Sequence, residues 1–130
     1  MTDFPRLLLA ASLVALGACA STPPSSVTLT HDRKCPVALQ SGQTLILSLP
    51  SNPASGYRWQ ADSLAGEVLR SLGPEVFSNP DSGVIGGDGL STWRFEAARA
   101  GEDRLHLSYR QPWEPEGEPG AEFDCRVRVR

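Results

Sequence analysis

The feature that most constrains the fold is an alternation of apolar and polar residues, with a period of two, in four separate segments. Such alternation places the apolar side chains on one face of a β-strand, where they can cover a core. The apolar positions are Leu45, Leu47 and Leu49; Trp93, Phe95 and Ala97; Leu105, Leu107 and Tyr109; and Phe123, Cys125, Val127 and Val129. Weaker strand candidates are residues 27–31, 35–39, 57–61 and 68–72.

No window of the sequence supports a long helix. The stretch from Leu64 to Leu72 has some helical content, but Gly66 and the following Gly73-Pro74 limit it to about one turn. Twelve glycines and eleven prolines punctuate the chain at turn positions. Seven or eight short strands in roughly 100 residues predict an all-β fold, an immunoglobulin-like antiparallel β-sandwich. The cysteine–tryptophan–cysteine spacing of antibody domains is absent, so the prediction concerns the architecture alone.

The N-terminal region has the pattern of an export signal. Arg6 precedes an apolar run over residues 7–16, which is too short to span a bilayer core of about 30 Å but suits a signal peptide. The sequence Leu16-Gly17-Ala18-Cys19 then fits a bacterial lipobox, whose cysteine is acylated and becomes the mature N-terminus. The alternative is an ordinary secretory signal that is cleaved near Ala18 or Ala20.

These patterns predict three parts of the chain: a lipoprotein signal peptide over 1–18, a lipidated Cys19 with a proline-rich tether to residue 26, and one domain over 27–130. Ala20 after the cysteine favours the outer membrane. The expected location is therefore the bacterial cell envelope, on the periplasmic or the surface face, with the protein a membrane-anchored monomer.

Charge and cysteine content limit the possible partners and suggest a cross-link. A formal net charge of −3 argues against nucleic acid as a partner. An exported chain meets an oxidising compartment, so we expect a disulfide between Cys35 and Cys125. It would close a loop of about 90 residues and contribute roughly 4 kcal/mol of stability. The alternative is two buried free thiols.

Three loops rich in turn residues separate the predicted strands: the first loop from Ser51 to Gly56, the second loop from Asn79 to Gly89, and the third loop from Arg110 to Ala121. In the first loop Pro53 restricts φ and Gly56 can adopt a positive φ, so the loop holds its shape without a partner. The glycines of the second loop, Gly86, Gly87 and Gly89, permit close approach of another surface.

The third loop carries a tryptophan in an acidic, proline-rich stretch. Trp113 follows Pro112, and we expect its indole to be exposed, as in aromatic anchors of interfaces. Each loop by itself has a plainer interpretation. The first would be a tight strand connection, the second a mobile hairpin loop, and the third a tryptophan folded back over the sandwich edge.

The sequence does not indicate catalysis, a metal or a cofactor. His31 and His106 are the only histidines, and no nucleophile-elbow or phosphate-loop motif occurs. Asn79, Asp81 and Asp88 do not match the spacing of a calcium-binding EF-hand. We therefore expect a protein that is not an enzyme. One alternative function is a lipid-anchored envelope module that binds a cell-wall polymer or a partner protein.

Taken together and in order, the three loops resemble those of the chagasin family of cysteine-protease inhibitors. The resemblance covers the chain from about Thr44 to Arg130. The matching residues are Asn52, Pro53, Gly56, Tyr57 and Trp59 in the first motif, Gly86 and Gly89 in the second, and Tyr109, Pro112 and Trp113 in the third. The sequence departs from the family pattern at Ala54, Asp88 and Gln111, where the family has threonine, glycine and arginine.

The resemblance implies reversible, non-covalent inhibition of papain-like cysteine proteases by three loops that occlude the active-site cleft. The first loop would cover the catalytic cysteine and histidine, while the other two grip the cleft on either side. Trp113 would stack on an aromatic residue of the enzyme. The implied protease-binding residues are Asn52, Pro53, Ala54, Ser55, Gly56, Tyr57, Gly86, Gly87, Asp88, Gly89, Gln111, Pro112 and Trp113.

Overall fold

The computed structural model describes residues 24–79 and 88–130, which form two β-sheets packed face to face. The sandwich architecture predicted from the sequence is confirmed. In the described residues there is no α-helix, and the one helical element is a 3₁₀ turn over Pro53–Ser55. The strands are β1 (Ser26–Leu29), β2 (Val37–Leu39), β3 (Thr44–Ser51), β4 (Arg58–Leu64), β5 (Leu69–Ser71), β6 (Val76–Ser78), β7 (Gly89–Ala97), β8 (Gly101–Arg110) and β9 (Ala121–Val129).

The two sheets are mixed, whereas the sequence led us to expect antiparallel strands throughout. The first sheet has the order β1-β3-β7-β5, with β6 also paired to β7, and the second sheet has the order β2-β9-β8-β4. The pairs β1–β3 and β2–β9 are parallel. The parallel pairing of β1 with β3 follows from the path of the chain, which crosses to the second sheet after β1 and returns to the first sheet before β3. Consequently β1 and β3 run in the same direction.

All eight segments predicted as strands contain one, and within the described residues the structure adds a ninth strand. Strand β6 pairs with β7 through Val76, Phe77 and Ser78, and all three residues are exposed. The sequence analysis missed β6 because a three-residue strand without a buried face leaves no alternation to detect.

The core lies between the sheets and contains the apolar residues of the four alternating segments, except Tyr109, which is half-buried. Leu45 and Leu47 of β3 and Leu105 and Leu107 of β8 are fully buried. Burying a side chain of this size contributes roughly 1.5–3 kcal/mol relative to leaving it in water. Phe95 and Phe123 are the largest fully buried side chains in the described part of the chain. The period-two pattern therefore identified the core faces correctly.

A disulfide joins Cys35 and Cys125, with an S–S distance of 2.02 Å and a Cα–Cα distance of 5.2 Å. This confirms the bridge and excludes the two free thiols. Cys35 lies on the connection between β1 and β2, and Cys125 is a buried residue of β9. The connection between β1 and β2 crosses from the first sheet to the second, and the bridge attaches this connection to β9 of the second sheet.

The predicted signal peptide, Cys19 and the tether as far as residue 23 lie outside the described residues. Pro24 is the first described residue, and its carbonyl accepts a hydrogen bond of 2.5 Å from Nε2 of Gln43. The Thr44 N–H donates to the Ser25 carbonyl at 2.9 Å. Strand β1 begins at Ser26, so the last residue assigned to the tether belongs to the sheet. None of the helical structure within 24–79 and 88–130 has the length and apolar character needed to traverse a bilayer.

Candidate functional site

The described parts of the three loops lie at one end of the sandwich. In the first sheet Ser51, the last residue of β3, pairs with Gly89, the first residue of β7. In the second sheet Arg58 at the start of β4 pairs with Arg110 at the end of β8. Because the first loop connects β3 to β4 at this end, the described parts of the loops form one edge. We call this surface the loop edge, which comprises residues 51–56, 88–89 and 110–121.

The first loop is a capped 3₁₀ turn. The Asn52 side-chain Oδ1 accepts the Ala54 N–H at 3.2 Å. The main-chain carbonyl of Asn52 accepts the Ser55 N–H at 3.1 Å and the Ser55 hydroxyl at 2.6 Å. Gly56 ends the turn with φ of 84°, and its N–H donates to the Pro53 carbonyl at 3.2 Å. These internal bonds hold the loop in shape and leave Ala54 and Ser55 exposed at its tip.

An aromatic cluster supports the first loop from inside the sandwich. The ring of Tyr109 lies 5.2 Å from that of Tyr57 and 4.9 Å from that of Trp59, between ring centroids. The Tyr109 hydroxyl accepts the main-chain N–H of Asn52 at 2.8 Å. The Trp59 indole N–H donates to the Pro50 carbonyl at 2.9 Å. Side chains of the second sheet therefore hold both the end of β3 and the start of the first loop.

The described part of the second loop contacts the first loop. The Asn52 side-chain Nδ2 donates to Oδ1 of Asp88 at 3.2 Å. The departure from the family pattern at position 88 therefore provides a carboxylate that orients the cap of the first loop. Gly86 and Gly87 lie outside the described residues, and their role in close approach stays a prediction.

Gly89 is buried at the start of β7, where packing within the sheet leaves no room for a side chain. A Cβ atom at this position would lie 2.5 Å from the Phe77 ring and 2.5 Å from the Ser78 carbonyl oxygen. The close approach that glycine permits here is the packing of β6 on β7. A direct contact of Gly89 with a protease stays a prediction.

Trp113 of the third loop is exposed over 65% of its surface, as the sequence predicted. One edge of its indole nevertheless packs on the first loop. A Cβ atom at Gly56 would lie 2.5 Å from Cη2 of Trp113. Glycine is therefore required at position 56 for two reasons: the backbone has a positive φ, and a Cβ atom would collide with the indole. The exposed Pro112 precedes the tryptophan, and together they extend the tip of the first loop into one surface.

The backbone of the third loop is organised by two turns and one arginine. The Glu114 N–H donates to the Gln111 carbonyl at 3.0 Å, and the Gly117 N–H donates to the Glu114 carbonyl at 3.1 Å. The Arg110 guanidinium donates to the carbonyls of Gly117 and of Pro115, the latter at 3.4 Å. Gln111, which replaces the family arginine, is half-buried at the base of this loop.

Sequence reasoning did not assign roles to Tyr109 and Arg110, the last two residues of β8. Tyr109 entered as an apolar strand position and as a match to the family motif. Successive residues of a strand point to opposite faces, so Tyr109 reaches the first loop and Arg110 reaches the third. A polar group at the end of an alternating apolar segment was the signal available in the sequence.

Among the described residues, a shift in pKa is found for Asp103 and Arg104 on β8 and for Asp124 on β9. The Arg104 guanidinium donates to both carboxylate oxygens of Asp124, at 2.8 and 2.6 Å, and so lowers the pKa of Asp124. The same contact raises the pKa of Arg104. Main-chain N–H groups of Glu67 and Arg104 lower the pKa of Asp103. None of these four residues belongs to the loop edge.

The two histidines lie away from the tips of the loops. His106 is in the middle of β8, with Nδ1 3.4 Å from Asp62 and Nε2 3.8 Å from Glu122. His31 is exposed on the connection between β1 and β2. Among the residues that the structure covers, no group of three histidine, cysteine or acidic side chains could hold a metal ion.

The fold and the loop edge define a class of β-sandwich that presents a contact surface on loops held in shape by the scaffold. The chain belongs to the chagasin family of peptidase inhibitors. The family model described as "Chagasin family peptidase inhibitor I42" matches residues 38–127.

Curated relatives and solved structures agree with this assignment. Amoebiasin-1 of Entamoeba histolytica is 29% identical over 105 residues, which cover 80% of this chain and 100% of the relative. Chagasin of Trypanosoma cruzi is 28% identical over 78 residues, which cover 55% of this chain and 68% of the relative.

Two solved structures share the fold at 19% identity. The crystal structure of EhICP2, a cysteine protease inhibitor from Entamoeba histolytica, has a TM-score of 0.67 and covers 83% of this chain and 100% of its own. The structure of PbICP-C in complex with falcipain-2 has a TM-score of 0.52 and covers 81% of this chain and 89% of its own.

Proposed function

We propose that this protein is a reversible, non-covalent inhibitor of papain-like cysteine proteases, and that its loop edge occludes the active-site cleft. The observation that carries the proposal is the packing of Trp113 on Gly56, which joins the first and third loops into one preformed surface. Family membership supplies the inhibitory activity. The relatives described as cysteine protease inhibitors support the target class.

A stiff loop suits a groove that contains a reactive thiol. Papain-like enzymes hold a thiolate and an imidazolium at the bottom of a cleft. In this inhibitor the exposed tip, Ala54 and Ser55, belongs to a closed turn whose N–H and carbonyl groups bond to one another. Such a turn fills the cleft without presenting an extended peptide bond to the thiolate. Because the loop is ordered before binding, less conformational entropy is lost in the complex.

The proposed contact residues are those that the family resemblance implied. In the described part of the chain, the first-loop residues, Asp88 and the third-loop residues lie at the loop edge. Tyr57 is half-buried against Tyr109, so its contact with a protease would be made by the outer part of its ring. Gly86, Gly87 and Gly89 complete the proposed set.

Titration of papain with the purified protein tests this proposal. We expect residual activity to fall in proportion to the inhibitor added until the two proteins are equimolar, and to recover when the complex is diluted. The mass of the inhibitor should be unchanged after mixing, because no bond is formed or broken. Full papain activity in the presence of a large micromolar excess would contradict the proposal and favour the envelope-binding alternative.

We also propose that the intact chain is anchored to a bacterial membrane through a lipid on Cys19, within the cell envelope. What supports an anchor at this position is the direction in which the chain leaves the sandwich. Pro24 bonds to Gln43, next to the start of β3, whereas the first loop follows the end of β3. An eight-residue strand separates the two ends by about 25 Å. A tether at Pro24 would therefore leave the loop edge pointing away from the membrane.

The anchoring proposal predicts the chemical state of the N-terminus in a bacterial host. Mass spectrometry of the mature protein should show cleavage before Cys19 and acyl chains on that cysteine, and Cys19→Ala should abolish incorporation of labelled fatty acid. An unmodified N-terminus created near Ala18 or Ala20 would overturn the lipid anchor and identify an ordinary secretory signal.

A further inference from the structure

The Tyr109 hydroxyl contacts both main-chain polar groups of Asn52. It accepts the Asn52 N–H at 2.8 Å, and its own hydrogen is directed to the Asn52 carbonyl at 3.4 Å. The two residues are 57 positions apart in the sequence: Asn52 directly follows β3 of the first sheet, and Tyr109 belongs to β8 of the second sheet. The contact therefore ties the end of the second sheet to the start of the first loop.

Asn52 is the residue on which the shape of the first loop depends. Its side chain receives the Ala54 N–H and donates to Asp88, and its carbonyl receives two bonds from Ser55. The pairing of β3 with β7 ends one residue earlier, at Ser51. Asn52 therefore has no residue of β7 opposite it in the sheet. Its main-chain N–H donates to the Tyr109 hydroxyl instead of to a neighbouring strand.

The Tyr109 ring is held firmly enough to act as a support. It packs between the rings of Tyr57 and Trp59, and Trp59 is in turn fixed by its bond to Pro50 and by an edge contact with Trp93 at 6.4 Å. Offset and tilted aromatic pairs at these distances are favourable. The hydroxyl is thus presented from a packed cluster to a loop that must stay in one conformation.

We propose that Tyr109 is a positioning residue for inhibition: its hydroxyl holds Asn52, and through Asn52 the first loop, in the protease-binding conformation before the enzyme arrives. This inference rests on the proposed function. Tyr109 acts through Asn52 and does not need to touch the protease. Without the hydroxyl, part of the ordering of the first loop would have to occur during binding, which weakens the complex.

The test compares Tyr109→Phe with Ser63→Ala in the full protein. The first variant removes the hydroxyl and keeps the ring. The second removes a hydroxyl that donates to the Arg104 carbonyl at 2.6 Å, near the end of β4 remote from the first loop. Tyr109→Phe removes the bond of 2.8 Å from the Asn52 N–H and the longer contact of 3.4 Å with the Asn52 carbonyl, and Ser63→Ala removes one bond of 2.6 Å. Both variants should therefore lose only a small amount of stability.

Two measurements separate positioning from general stability. We expect Tyr109→Phe to raise the inhibition constant for papain by about tenfold, the value of one lost hydrogen bond. It should also accelerate hydrogen exchange of the Ala54, Ser55 and Gly56 amides, while Ser63→Ala leaves both quantities at the level of the unmodified protein.

The inference would be overturned by an unchanged inhibition constant and unchanged loop exchange in Tyr109→Phe. It would also be overturned by equal changes in the two variants at matched stability. Should the unmodified protein fail to inhibit papain, the proposed function fails. The exchange experiment then still decides whether the hydroxyl orders the first loop.

Discussion

Replacing Trp113 with alanine should weaken inhibition of papain by about 30- to 1000-fold, which corresponds to the roughly 2–4 kcal/mol that a central aromatic anchor contributes. Stability should change little, because the indole is 65% exposed. The measurements are the inhibition constant and the free energy of unfolding of the same preparation.

A matched control is available on the outer surface of the first sheet. Leu72 is 49% exposed and lies beside the middle of β7, where its N–H donates to the Arg94 carbonyl at 2.9 Å. Leu72→Ala also removes an exposed apolar side chain, but it should leave inhibition unchanged. If Trp113→Ala loses stability and inhibition in parallel, the tryptophan is a structural residue and its anchor role is wrong.

Replacing both Cys35 and Cys125 with alanine should lower the free energy of unfolding by about 4 kcal/mol, because the bridge closes a loop of 90 residues. For a domain of this size the loss corresponds to a fall in melting temperature of about 15–30 °C. Alanine is the suitable replacement at position 125, since a serine hydroxyl would be buried there without water.

Unfolding curves with and without a reductant provide the control for this experiment. Reductant should destabilise the unmodified protein to the level of the double variant and should leave the variant itself unchanged. Below its melting temperature the variant should inhibit papain normally, because the bridge joins the β1–β2 connection to β9 and not to the loop edge. Equal stability of the two proteins without reductant would refute the predicted contribution.

Much of the fold could be predicted because strand formation in this chain leaves a local signal. The alternation in Leu45, Leu47 and Leu49 identifies a strand and its buried face from residues that are neighbours in the sequence. The short strand β6 could not be found in this way. Its residues are exposed, and it exists because the buried Gly89 on β7 leaves room for Phe77.

The candidate site could be predicted as three loops, but not as one edge. Turn residues at Pro53 and Gly56 mark the first loop whatever lies beside it. That Asp88 would receive the Asn52 side chain, 36 residues away in the sequence, depends on which strands are adjacent. Strand order is determined by contacts between residues that are far apart in the sequence, and no local pattern records it.

By itself the sequence determined every described strand but β6, the buried faces, the positions of the turns and the two cysteines able to form a bridge. Each of these depends on residue type and short-range periodicity. Only the tertiary structure decided which strands run parallel and which loops share an end. It also placed the Tyr109 hydroxyl under Asn52 and the Trp113 indole on Gly56. Those features arise when two sheets pack and bring distant residues within hydrogen-bonding or van der Waals distance.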